Sequence, residues 1–175
     1  MDAGIVDLYY FPGWSISKKE GTLGLNPETP PNNIVAGARS MLSNNPYPLM
    51  DVRYTGSPFA NYSLHSFWWG CVINTQKEIF NIPTTCVLTV TGYDSNGPKA
   101  SESFSFTVPL LTVSTQMVKA EIKNKAAFSE VLYVNFTTTG TLGSGLVDAA
   151  IEATLVDSIN ATGNCFTNGC PNAVR

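Results

Sequence analysis

The chain has 175 residues, 43% of them hydrophobic and 13% charged, with ten basic residues against thirteen acidic ones and a formal net charge of -3. That length and apolar content support a proper hydrophobic core without metal or dense cross-linking, which excludes a disordered chain and favours one domain over 1–175. No basic run is longer than Lys18-Lys19, so the cationic footprint that neutralises a nucleic-acid backbone is missing. No apolar stretch approaches the ~20 residues that cross a bilayer as a helix, so neither nucleic acid nor membrane insertion is expected.

Structure-breaking residues recur at short intervals between β-branched and aromatic runs, the punctuation of an all-β antiparallel domain. In chain order the predicted strands are Gly4 to Phe11, Ile34 to Met41, Met50 to Tyr54, Tyr62 to Ile73, Cys86 to Tyr93, Ala100 to Val108, Thr115 to Ile122 and Val131 to Thr139. Phe104 and Phe106 alternate with Ser103 and Ser105, and Val134 and Phe136 alternate with Asn135, as half-buried strands require. This alternation puts Asn135 outward beside Tyr133. The Asn96-Gly97 step predicts a tight hairpin. Residues 13–33, with Pro27, Pro30 and Pro31, and residues 43–48 read as long irregular excursions. Residues 147–159 fit a helical or a strand pattern, and the all-β context favours a strand from about Ile151 to Ile159.

Four cysteines allow three connectivities. Local pairing is expected, Cys71 with Cys86 across neighbouring strands and Cys165 with Cys170 around a tight Asn-Gly loop. Neither pair has the spacing of a zinc knuckle, and the single histidine, His65, is remote from both. Glycosylation triplets stand at Asn61, Asn135 and Asn160. Together with paired cysteines they predict a secreted, extracellular protein. Met1-Asp2-Ala3 opens the chain without the features of a signal peptide, so any such segment is expected to have been removed.

The run Phe67-Trp68-Trp69-Gly70-Cys71, the turn Asn74-Thr75-Gln76, the return Ile82-Pro83-Thr84-Thr85-Cys86 and the hairpin Thr91-Gly92-Tyr93 resemble a family of small secreted fungal proteins. Gln116 to Ala120 and Phe128 to Phe136 fit its next two strands, Ile5 to Leu8 and Leu155 to Ser158 match its first and last strands loosely, and Gly13 to Pro48 has no counterpart. The resemblance implies a jelly-roll-like β-sandwich similar to carbohydrate-binding modules, in proteins of plant-associated or pathogenic fungi. It brings no shared activity and no site residue.

Catalytic constellations are missing. A Ser-His-acid triad would have to use His65, and a lone strand histidine is more often structural. Thirteen dispersed acids always allow some glycosidase-like pair, so no enzyme is expected. Asp7 and Asp157 are the acids a structural calcium would use, but no clustered oxygen-ligand loop accompanies them, and no metal or cofactor is expected.

Two binding functions stay open. The first is a fungal effector, active in the host apoplast if the host is a plant, that binds a host extracellular protein such as a papain-like cysteine protease and inhibits it. Its contacts would be Trp14, Leu23, Leu25, Asn44, Pro46 and Tyr47 on the excursion loops. The alternative is a non-catalytic cell-wall glycan binder that stacks sugars on Trp68, Tyr9, Tyr10 or Tyr54. Three consecutive aromatics in a strand cannot share a face, which makes Trp68 the odd ring out.

Overall fold

A computed structural model describes residues 2–18, 24–29, 32–37, 48–73, 82–109, 112–140 and 152–166. These residues form an all-β fold with no helix among them. The strands are β1 (Asp2–Val6), β2 (Tyr9–Lys18), β3 (Gly24–Asn26), β4 (Asn32–Gly37), β5 (Leu49–Asp51), β6 (Phe59–Ile73), β7 (Ile82–Thr84), β8 (Cys86–Asp94), β9 (Gly97–Phe106), β10 (Ser114–Gln116), β11 (Val118–Glu121), β12 (Tyr133–Gly140) and β13 (Glu152–Cys165).

The main sheet runs β11-β6-β13-β4-β2-β5-β12-β8-β9, with β1 added to β2 and β7 to β6. Its ladders are antiparallel, and β3 and β10 make a separate parallel pair. The sheet curls until its two halves face each other. Phe67 on β6 meets Phe104 on β9 and Phe136 on β12, with ring centroids 5.7 and 5.6 Å apart, and Trp69 meets Phe106 at 5.8 Å. The terminal strands of the order, β11 and β9, draw together where the Lys123 N–H donates to the Glu102 carboxylate at 3.1 Å. The result is a nearly closed sandwich.

Residue order explains the corners. β2 pairs with β5 at Tyr10 and with β4 from Ser15 to Lys18, so one strand serves both halves. Between those contacts stand Pro12, which has no N–H to donate, and Gly13 at φ 79°, a backbone conformation that other residues adopt reluctantly. At the second corner β7 pairs with β6, Thr85 follows, and Cys86 begins β8 in the opposite half. The Cys71–Cys86 disulfide closes this corner, as expected from sequence. Cys165 is disulfide-bonded as well, and its expected partner Cys170 lies outside the described residues.

Several expectations need correction. The supposed excursion at 13–33 holds the second half of β2, all of β3 and the start of β4. Of its prolines, Pro27 follows β3, and Pro30 and Pro31 lie outside the described residues. Trp14 is therefore core, 1% exposed and edge-on to Phe136 at 5.4 Å, and Leu25 is also 1% exposed. The predicted strand Gly4 to Phe11 is a hairpin, turning at Asp7 and Leu8 with φ of 48° and 69°. Thr115 to Ile122 divides into two strands at the buried Met117. The Asn96-Gly97 hairpin forms, but Gly97 alone takes positive φ, and the Asp94 carboxylate accepts the Asn96 N–H at 2.7 Å. Asn135 is only half-exposed: its Oδ1 is buried without a hydrogen-bond partner, on an inner strand between β5 and β8. Of the ambiguous segment 147–159, residues 152–159 are strand and the strand continues to Cys165, while 147–151 lie outside the described residues.

Candidate functional site

β4 pairs with β13 from Ala153 to Val156 and with β2 from Ser15 to Lys18. On β13 the ladder with β4 stops at Val156. β13 then carries irregularities between Asp157 and Ala161, with Ser158 at φ 47°. Such bulges redirect side chains and interrupt pairing. A cleft of about 1070 Å³ lies here, lined by the β1–β2 hairpin and by β13 residues between Val156 and Gly163.

Its lining is mostly apolar. Phe11, Ile34, Met50, Phe59, Val156 and Ile159 reach it from five strands. The rim residues Val6, Leu8 and Ile16 are 38%, 38% and 46% exposed, unusual for large aliphatic groups. The Phe59 ring lies against the Cα of Gly163, where any side chain would collide with it.

The polar side chains among the cleft's described lining residues, besides Tyr9, are Asp7, Thr29, Asn33, Asp157, Ser158 and Thr162. One Asp157 oxygen accepts the Thr29 N–H at 2.7 Å, and the other accepts the Thr29 hydroxyl and the Ser158 N–H, both at 2.7 Å. Every one of these donors is neutral. Asn33 stands next to Ile34, the β4 partner of Val156, so it neighbours Asp157 across the two strands. It is 5% exposed, and its Oδ1 has no partner. Asp7 sits at the hairpin turn. Burial, with Asp7 adding to it, pushes the Tyr9 phenol up to about 12. No Lys, Arg or His is among the described residues that line the cleft. His65 stands behind it, with Nε2 2.8 Å from the Thr162 hydroxyl.

Of the proposed stacking residues, only Tyr9 lines the cleft. It is a wall rather than a free platform: 9% exposed, its ring lies 5.2 Å from Phe59 and 5.3 Å from Tyr62. Tyr10 points the other way, edge-on to Tyr54 at 6.3 Å, and the Tyr54 hydroxyl donates to the Leu8 carbonyl at 2.8 Å, bracing the hairpin turn. Trp68 is half-buried against the core, between Lys119 and Asp157 on the flanking strands. Trp14 and Leu25 are internal, and Leu23, Asn44, Pro46 and Tyr47 lie outside the described residues. Asn61 accepts from the Asn164 amide at 2.6 Å, while Asn160 is exposed. No cluster of three His, Cys, Asp or Glu side chains suited to a metal occurs among the described residues.

Beside Tyr10, the Arg53 guanidinium donates to both oxygens of Asp51, its closest contact being 2.7 Å. It also lies 3.7 Å above the Tyr133 ring, which stacks on Tyr93 at 4.5 Å. This pile is internally satisfied. Sequence reasoning passed over Asn33 because nothing local distinguishes a strand asparagine from a turn asparagine. Asp7 and Asp157 were visible only as possible calcium ligands.

The sequence matches no protein-family profile and no curated protein. Among solved structures, the chain is similar to a DUF4465 family protein from Bacteroides caccae ATCC 43185, with a TM-score of 0.55 and 11% identity over 89% of this chain and 80% of that one. At that identity the likeness concerns the fold alone.

Proposed function

We propose that the protein is a secreted, non-catalytic binding protein of the effector type its central segment resembles, and that it holds a ligand in the cleft. The carrying observation is the cleft itself: a concavity of about 1070 Å³, mainly apolar, with a few convergent polar groups, as ligand sites are generally built. The disulfides are compatible with an extracellular setting. Inhibition of a host protease through excursion loops is the weaker reading, because two of its six contact residues, Trp14 and Leu25, belong to the core. Glycan binding keeps some support from Tyr9 and Phe59, which stand together on the cleft wall.

The test uses a neutral apolar fluorophore, Nile red. Saturable binding with one site per chain is expected. Leu8→Asn and Ile16→Thr should weaken it severalfold without loss of melting temperature, since both residues are exposed at the rim. Absence of saturable binding, or binding indifferent to both substitutions, refutes the cleft as the site.

A further inference from the structure

We propose that the cleft selects an amphipathic amine, an apolar body ending in a protonated amino group. The inference rests on the cleft reading above and adds the chemistry of the ligand's polar end.

Charge and hydrogen bonding argue together. Asp157 and Asp7 both line the cleft, and among the described lining residues none is basic. Asp157 is held by the Thr29 N–H and hydroxyl and by the Ser158 N–H, which orient its carboxylate without cancelling its charge. The ion pairs found among the described residues, Arg53 with Asp51 and Lys119 with Glu121, involve neither cleft acid. A partly dry site raises the value of an added cation above what bulk water allows.

Independently, Asn33 is 5% exposed, and its buried Oδ1 lacks a hydrogen-bond partner. An unsatisfied buried acceptor is costly unless something donates to it. An ammonium group carries three N–H donors and no acceptor. It can donate to Asn33 while sharing the field of Asp157. A carboxylate or phosphate end would bring a third negative charge and no donor. The exposed aliphatic rim of Leu8 and Ile16 suits an alkyl or alicyclic body, whereas sugars are generally held on open aromatic faces.

The experiment is displacement of Nile red at pH 7 by octylamine, decylamine, octanol, decanol, octanoate and decanoate, each kept monomeric. The amines are then protonated and the acids ionised. Decylamine is expected to bind at least about tenfold more tightly than decanoate, the scale of one ion pair in a partly dry site. Two further methylenes should tighten amine binding by roughly fifteenfold, about fourfold each. Asp7→Asn keeps a residue that tolerates positive φ, so it and Asp157→Asn should each reduce the preference of amine over alcohol while decanol affinity holds. Asn33→Leu should lower amine affinity without loss of melting temperature.

Equal or tighter binding of decanoate overturns the inference while the chain-length dependence still supports an apolar cleft. An amine preference unchanged in all three variants also overturns it. If no alkyl probe binds and chito-oligosaccharides displace Nile red instead, the amine assignment falls and the glycan reading of the cleft replaces it. If Nile red itself fails to bind, the cleft reading falls, and the amine assignment with it.

Discussion

Trp14→Ala is expected to cost about 3–5 kcal/mol, the usual penalty for truncating a large buried aromatic. Trp14 is 1% exposed, lies edge-on to Phe136 and stands beyond the Gly13 corner where β2 passes from one half of the sandwich to the other. The more informative variant is Trp14→Phe. The smaller ring gives up about 1–2 kcal/mol of transfer and cavity energy. It also removes a buried indole N–H that has no partner, a defect worth about 1–3 kcal/mol. The two effects oppose each other, so Trp14→Phe should fall within about 1 kcal/mol of the parent. Urea denaturation followed by far-UV circular dichroism measures both variants, and thermal melts should show a drop of roughly 6–20 °C for Trp14→Ala. A loss under about 1 kcal/mol for Trp14→Ala would mean the side chain is not core. Equal losses in both variants would mean the indole N–H is satisfied in solution.

Other consequences can be tested in the same way. Leu8 holds φ 69° with an exposed side chain, so Leu8→Gly should raise stability by up to about 1 kcal/mol in urea melts; a loss would show that its rim contacts outweigh the backbone strain. Removing the Cys71–Cys86 bridge, whose cysteines are 15 residues apart, by a double Ala substitution should cost about 3 kcal/mol, and an unchanged denaturation midpoint would refute its role at the corner. Tyr9 should titrate near pH 12 in ultraviolet difference spectra. Its folded value lies above the unfolded value of about 10, so between pH 10 and 12 the unfolded chain loses the proton first. Stability contributed below pH 10 is then lost as pH rises, and Tyr9→Phe should flatten that alkaline limb.

The all-β class was legible because alternation is local. Ser103 and Ser105 against Phe104 and Phe106, or Asn135 against Val134 and Phe136, need only the two-residue period of a pleated strand. Setting Trp68 apart from Phe67 and Trp69 on β6 rests on the same period; Phe67 and Trp69 are 0% and 1% exposed, whereas Trp68 is only partly buried. The Cys71–Cys86 pairing was within reach because both cysteines flank one short return.

The consequences of non-local pairing were out of reach. Pro12-Gly13 looks like a loop, yet it stands where β2 changes ladder partner, and only the curl of the sheet makes a strand of Gly13 to Lys18 and a core residue of Trp14. Local alternation points Asn135 outward, but it does not say whether that face is open, and two flanking strands help to close it. The cleft is the extreme case. Asp7, Asn33 and Asp157 are spread over 150 residues of sequence, and they line one cleft because the β1–β2 hairpin, β4 and β13 are brought together by the curled sheet. A residue's alternation is written in its neighbours along the chain. Which strands come to wall one cleft is fixed by the order and register of the whole sheet, which no stretch of the chain contains.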